Sequence, residues 1–185
     1  MATGIRLSQP RIAPLPPAEW SDELARVRDA PGDPPNVIRT LANHPDLARR
    51  WMVFANHILG KSTLPVRDRE LLMLRIGWLC GSGYEFGQHT LIAKRAGITD
   101  EEIRRVTAGP DAEGWSTWDR TLLRVADELK GDGMVSDATW AALDERYDQR
   151  QKMDTVFTVG QYNMVSWALN SFGVQLDDGV PGFPE

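Results

Sequence analysis

Three features of this 185-residue chain predict an all-α fold. Apolar residues recur at three- and four-residue spacing in successive segments. Ser, Thr, Asn or Pro precedes those segments and Gly follows them, as at helix starts and stops. No segment shows the strict apolar–polar alternation between hairpin turns that marks a strand. With 42% hydrophobic and 25% charged residues, the chain has the balance of a globular protein long enough to bury a substantial core.

Taken in order, residues 1–35 read as an extended N-terminal arm with a short helix. Pro10, Pro14, Pro16 and Pro17 oppose helix near its start, a short helix follows Ser21, and Pro31-Gly32-Asp33-Pro34-Pro35 breaks the chain. The arm is expected to lie along the surface or to reach a neighbouring subunit. Residues 36–185 read as a single all-helical domain. Asn36 is the expected N-cap of a brief helix through Leu41. Pro45 opens a stronger helix carrying Leu47, Trp51, Phe54 and Ile58, and Gly60 ends it; 36–60 thus reads as an appended helical pair. Pro65 opens a broadly apolar helix with Leu71, Leu74, Ile76 and Trp78, expected to be central and broken by Gly81-Ser82-Gly83. The next runs from about Tyr84 to Ala96 and stops at Gly97. Thr99-Asp100-Glu101-Glu102 is a capping box opening another, closed by Gly109-Pro110. Ser116 and Ser136 cap two more, ending at Gly131 and near Tyr147. The last helix spans roughly Gln149 to Phe172. Trp115, Trp118 and Trp140 are expected to pack the C-terminal half.

Composition excludes several functions. A net charge of −5 without clustered Lys and Arg argues against a nucleic-acid partner. No apolar run approaches the roughly 20 residues of a membrane span, and residues 1–6 lack the apolar core of a leader, so a cytoplasmic location is expected. A single cysteine, Cys80, rules out an intrachain disulfide and a cysteine-rich metal site. His44, His57 and His89 have no metal-ligand spacing, and no metal or cofactor is expected. Seven Trp point to large buried contacts or an interface.

Chemistry centres on Ser82-Gly83-Tyr84-Glu85-Phe86-Gly87-Gln88-His89. Glu85 and His89 stand four apart on one helix face, where a carboxylate fixes the imidazole tautomer and raises its basicity, as a general base or proton shuttle requires. Taken alone, such a pair is more often a solvated ion pair. Glu70 reads as a second acid–base group or as a partner of Arg67 or Arg69. Ser82 is a turn or cap residue, and Cys80 a small buried hydrophobe or part of a pocket wall. His44 suits a local role at a helix entry, and His57 lies on the amphipathic helix after Trp51 and Phe54. Gln161, Tyr162, Asn163 and Asn170 interrupt the last helix, either reaching a pocket or interface or bonding between helices.

From Pro65-Val66-Arg67-Asp68-Arg69-Glu70-Leu71-Leu72, through the Ser82 to His89 segment, to Ala93-Lys94-Arg95-Ala96-Gly97-Ile98-Thr99-Asp100-Glu101-Glu102-Ile103, the chain resembles the core of the carboxymuconolactone decarboxylase and alkylhydroperoxidase D-like superfamily. The peroxidase branch of that superfamily has a glutamate followed by Cys-x-x-Cys-x-x-x-His. Laid on this chain, the glutamate falls at Glu70, the histidine at His89 and the two cysteines at Ser82 and Glu85. Thiol peroxidase chemistry needs both cysteines, so the resemblance points instead to the decarboxylase branch.

The resemblance implies an alkylhydroperoxidase D-like helical fold that assembles as a dimer, trimer or hexamer. It also implies a cofactor-independent decarboxylase, lyase or isomerase acting on a small carbonyl or lactone acid. His89 would deliver a proton, Glu85 would hold His89, and Glu70 would be the second acid–base group. Tyr84 would donate to a carbonyl oxygen, with Ser82, Cys80 and His57 lining the substrate site and Arg75 or Arg95 meeting a substrate carboxylate. Two other readings compete: a peroxidase-fold relative with residual redox or antioxidant activity, and a non-catalytic ligand-binding homo-oligomer. An enclosed Glu70, Glu85 and His89 cluster favours the enzyme; Cys80-dependent peroxide turnover would favour redox work.

Overall fold

The computed structural model describes residues 4–184; the first three residues of the arm, with that part of the leader reading, and Glu185 lie outside the described residues. Nine α-helices are described: α1 (Ala25–Arg28), α2 (Asn36–Leu41), α3 (Pro45–Gly60), α4 (Val66–Leu79), α5 (Gly83–Arg95), α6 (Asp100–Ala108), α7 (Thr117–Gly131), α8 (Asp137–Asp144) and α9 (Gln149–Phe172). No strand occurs among the described residues.

The central position goes to α4, which packs against α5, α6, α7 and α9. Every residue from Asp68 to Gly77 is buried. Leu71, Leu72, Met73, Leu74 and Ile76 are fully enclosed, each contributing roughly 1.5–3 kcal/mol relative to exposure. Such a helix must also bury its polar residues, and each finds partners. Asp68 accepts from Trp118 Nε1 at 2.9 Å and the Tyr147 hydroxyl at 2.7 Å. Arg75 forks onto Asp127 at 2.6 and 3.0 Å and donates to the carbonyls of Val106 and Thr107 at the end of α6.

The helix boundaries follow local chemistry. Thr99 and Glu102 form the capping box of α6, and Ser116 and Ser136 cap α7 and α8. His44 caps α3, its Nδ1 accepting from the Leu47 N–H at 3.4 Å. Asp148 and Gln151 form a second capping box, at α9. Gly173 ends that helix in the left-handed conformation, φ 72°, which a Cβ would disfavour. Asn36 is a correction: Pro35 is the N-cap of α2, and Asn36 is already helical. Its side-chain amide donates instead to the carbonyls of Gln175 and Leu176, tying α2 to the C-terminal tail. Trp140 is a second correction, being 39% exposed with Lys152 over its ring, whereas Trp115 and Trp118 are buried.

The arm lies along its own chain. Arg11 N–H donates to the Phe172 carbonyl, Leu15 N–H to that of Arg39, and Arg6 to those of Cys80 and Gly81. It is not wholly extended: Pro17–Glu19 and Asp22–Leu24 are 3₁₀ turns leading into α1. Trp20 and Leu24 are buried with Ala42 and Ala48, so the arm covers the α2–α3 pair. The C-terminal tail crosses α5. A Cβ on Gly87 would stand 2.0 Å from the Pro181 carbonyl oxygen, and Phe183 packs edge-on to Trp78 and Phe86 at 4.7 and 5.3 Å. A glycine inside α5, ordinarily a cost of about 1 kcal/mol, is what lets the tail lie flat there.

Candidate active site

Glu70 on α4 and Glu85 and His89 on α5 meet in one buried series. The i, i+4 spacing places Glu85 Oε1 3.1 Å from His89 Nε2. The other ring nitrogen, Nδ1, lies 2.6 Å from Glu70 Oε2. Behind Glu70, Arg69 donates through Nε and Nη2 to Oε1 at 3.2 and 3.1 Å, and through Nη1 to the Leu59 carbonyl of α3 at 2.7 Å. The order is therefore Arg69, Glu70, His89, Glu85. Glu70 is fully enclosed, and Glu85 and His89 are 6% and 4% exposed.

His89 is held in its protonated form. Burial is the largest single influence and disfavours the charge, but the Glu70 and Glu85 carboxylates together outweigh it and push the imidazole up to about 9. Basic and acidic side chains thus alternate along the series. The Tyr162 ring of α9 stands edge-on to His89 at 4.7 Å. Burial, then the charges of Glu85 and Glu70, keep its phenol neutral well above the ordinary tyrosine range.

The Glu85 and His89 end opens into a cleft of about 200 Å³. Its walls come from Pro35, Val37 and Ile38, from Trp51, Ala55 and Leu59 of α3, from Tyr84, Gln88 and Ile92, and from Gln161, Tyr162 and Val165 of α9. Gln161 Oε1 is buried there with no hydrogen-bond partner among the described residues. Among the described residues no group of three His, Cys, Asp or Glu side chains has a metal-holding arrangement.

The structure brings Glu70, Glu85, His89 and the Tyr84 ring together but not the other sequence-predicted residues. The Tyr84 hydroxyl is already committed, donating to Asp177 Oδ2 at 2.6 Å and accepting from the Val37 N–H at 3.1 Å. Burial first, then that carboxylate, raises its pKa. Ser82 is the N-cap of α5, wholly buried, and lines no wall of the cleft. Cys80 lines a separate pocket with Arg6, Lys130 and Trp167, its Sγ donating to Asn163 Oδ1 at 3.1 Å, and burial pushes its thiol up. His57 is paired with Asp154 at 3.1 Å and its side chain is 48% exposed. Arg75 is bound to Asp127 and Arg95 is exposed, so neither serves the cleft. Sequence reasoning had no role at the cleft for Trp51, and saw Arg69 only as a partner of Glu70. The available signal was an Arg-Glu pair directly ahead of the apolar run Leu71 to Leu74 of α4.

Comparisons with known proteins agree with this architecture. Residues 45–128 match the model of the carboxymuconolactone decarboxylase family. The uncharacterized protein YdfG of Bacillus subtilis is 25% identical over 109 residues, covering 58% of this chain and 73% of that protein. An alkylhydroperoxidase AhpD core, a peroxidase-related protein from Ralstonia eutropha, superposes with a TM-score of 0.78 at 20% identity, over 90% of this chain and 93% of that one. The debrominase Bmp8, solved with 2,3,4-tribromopyrrole, gives a TM-score of 0.76 at 14% identity, over 92% and 94% of the two chains. These two structures share the helical fold.

Proposed function

Since residues 45–128 match the model of the carboxymuconolactone decarboxylase family, we propose that the chain is a cofactor-independent acid–base enzyme, a lyase or isomerase acting on a small carbonyl compound. The observation that carries this reading is the buried Arg69, Glu70, His89, Glu85 series ending in a cleft. Both ring nitrogens of His89 are engaged, so the group that meets substrate is Glu85. His89 supplies Glu85 with a proton or takes one from it, and Glu70 and Arg69 hold the ring and balance its charge. In this assignment Glu70 is a positioning residue and not a second group on the substrate. A carbanion or enolate next to a carbonyl is formed or protonated at Glu85 in a site sheltered from water, where electrostatic support is strong. A thiol peroxidase is disfavoured by Ser82 and Glu85 at the two cysteine places and by the raised pKa of Cys80.

Solvent deuterium exchange into a panel of carbonyl and lactone compounds tests the reading. Wild type is expected to catalyse exchange at the carbon beside a carbonyl, and Glu85→Gln to lower the rate by at least about 100-fold. Equal exchange by wild type, Glu85→Gln and His89→Ala would sink it.

We also propose that the chain forms a homo-oligomer through α9. From Met153 to Trp167 the exposed positions of that helix are Met153, Phe157, Gly160, Met164 and Trp167, spaced 4, 3, 4 and 3, and none of these is charged. Two such stripes running antiparallel about Gly160 set Met153 against Trp167 and Phe157 against Met164, so the face is complementary to itself. Met164→Glu is expected to convert the oligomer to monomer in light scattering at micromolar concentration. An unchanged mass would remove α9 as the interface.

A further inference from the structure

The proposed reaction leaves the charge of the substrate open, and the cleft supplies grounds for deciding it. No Lys or Arg borders the cleft among the described residues. Arg69, behind Glu70, is 7% exposed and spends its donors on Glu70 and the Leu59 carbonyl. His89 is positive, but each ring nitrogen already faces a carboxylate. An anionic ligand would therefore lose its hydration, find no free cationic donor and meet Glu85.

Beside the cleft lies a second pocket of about 130 Å³, which shares Val37, Trp51 and Val165 with it. Apart from Thr40 its walls are apolar, with Met164, Leu169 and Phe172 from α9. In the cleft wall, Gln161 Oε1 is the one buried polar atom without a partner among the described residues, on a residue 4% exposed. A buried acceptor left without a partner is costly and calls for a donor from the ligand.

We propose that the cleft binds an electrically neutral carbonyl compound with an apolar body in the Val37, Trp51 and Val165 region and an O–H or N–H donor directed at Gln161. This rests on the acid–base reading for the carbonyl at Glu85, but departs from the lactone acid that the family resemblance implies. It also assigns Gln161 a specificity role and Trp51 a share of the wall for the apolar body.

Calorimetric titration of the full chain with three matched series of six to ten carbons tests the proposal: 2-hydroxyketones, the corresponding plain 2-ketones, and 2-oxo acids. The hydroxyketones are expected to bind at least 10-fold more tightly than the oxo acids and more tightly than the plain ketones, with affinity rising with chain length. Gln161→Leu is expected to erase the preference for the hydroxyl while leaving the plain ketones bound. Oxo acids binding as tightly as the neutral series, or no neutral compound binding up to its solubility limit, overturns the proposal. Binding of hydroxyketones without deuterium exchange would sink the acid–base reading and leave the ligand class standing. Exchange confined to the acids would do the reverse.

Discussion

Truncating Glu70 to alanine is expected to cost about 3–5 kcal/mol of unfolding free energy, the range for removing one partner of a buried ion pair. Glu70 is fully enclosed, takes two N–H donors from Arg69 on one oxygen and faces His89 at 2.6 Å on the other. Without it a guanidinium and an imidazolium face each other in a dry space, and Arg69 keeps only the Leu59 carbonyl. The imidazole can escape by losing its proton; the guanidinium cannot. Urea unfolding should therefore show a lower midpoint at an unchanged slope, with a fall in Tm of roughly 10 °C for a chain of this size. A loss below about 1 kcal/mol would mean that water reaches the pair and that the series is not the sealed unit described above.

Raising the pH from 6 to 9 is expected to cost the wild-type protein about 3 kcal/mol through His89 alone. Its pKa rises from an ordinary 6.5 to about 9 in the folded protein, because Glu70 and Glu85 outweigh the opposing effect of burial. A group bound more tightly to its proton when folded stabilises the fold fully below the unfolded pKa, and that stabilisation drains away as pH climbs through the folded one. The window is thus about pH 6.5 to 9, with stability decreasing upward. Other groups titrate there too, so the quantity to measure is the difference between wild type and His89→Gln across the window. A difference that stays flat or grows with pH would show that His89 is neutral in the folded state. The same titration bears on activity: if Glu85 draws on a protonated His89, exchange should fade above about pH 9 while the fold persists.

Much of the fold was legible because helix ends are written locally. Ser116, Ser136 and the Thr99–Glu102 box bond to N–H groups three residues away, so sequence spacing is enough to find them. Asn36 misled for the same reason in reverse. An asparagine before a helix is a good cap unless a distant segment claims its amide, and here the tail carbonyls at 175 and 176 do. Trp140 is expected from the sequence to pack the C-terminal half with Trp115 and Trp118, yet large aromatic residues also serve at surfaces, and this one is 39% exposed beneath Lys152.

For the site, the i, i+4 relation of Glu85 and His89 was visible from spacing, and the meeting with Glu70 was expected only from the family resemblance. Four other expectations failed on direction. Cys80 and Ser82 lie close to Glu85 in sequence, but the turn between α4 and α5 sends Cys80 to a separate pocket and buries Ser82 at a helix start. Tyr84 points its hydroxyl at the tail, a partner 93 residues away. His57 faces Asp154 across α3 and α9.

The sequence by itself determined the helical class, most helix boundaries, the absence of paired cysteines at the places a thiol peroxidase needs, and the shared face of Glu85 and His89. Those properties depend on residues within a turn or two of each other. Only the tertiary structure decided that Arg69 anchors Glu70, that His89 is clasped at both nitrogens and so protonated, and that Gln161 and Trp51 border the cleft with no Lys or Arg in its walls among the described residues. Charge state and pocket polarity arise from burial and from groups on α3, α4, α5 and α9 acting through space, and nothing in local spacing encodes them.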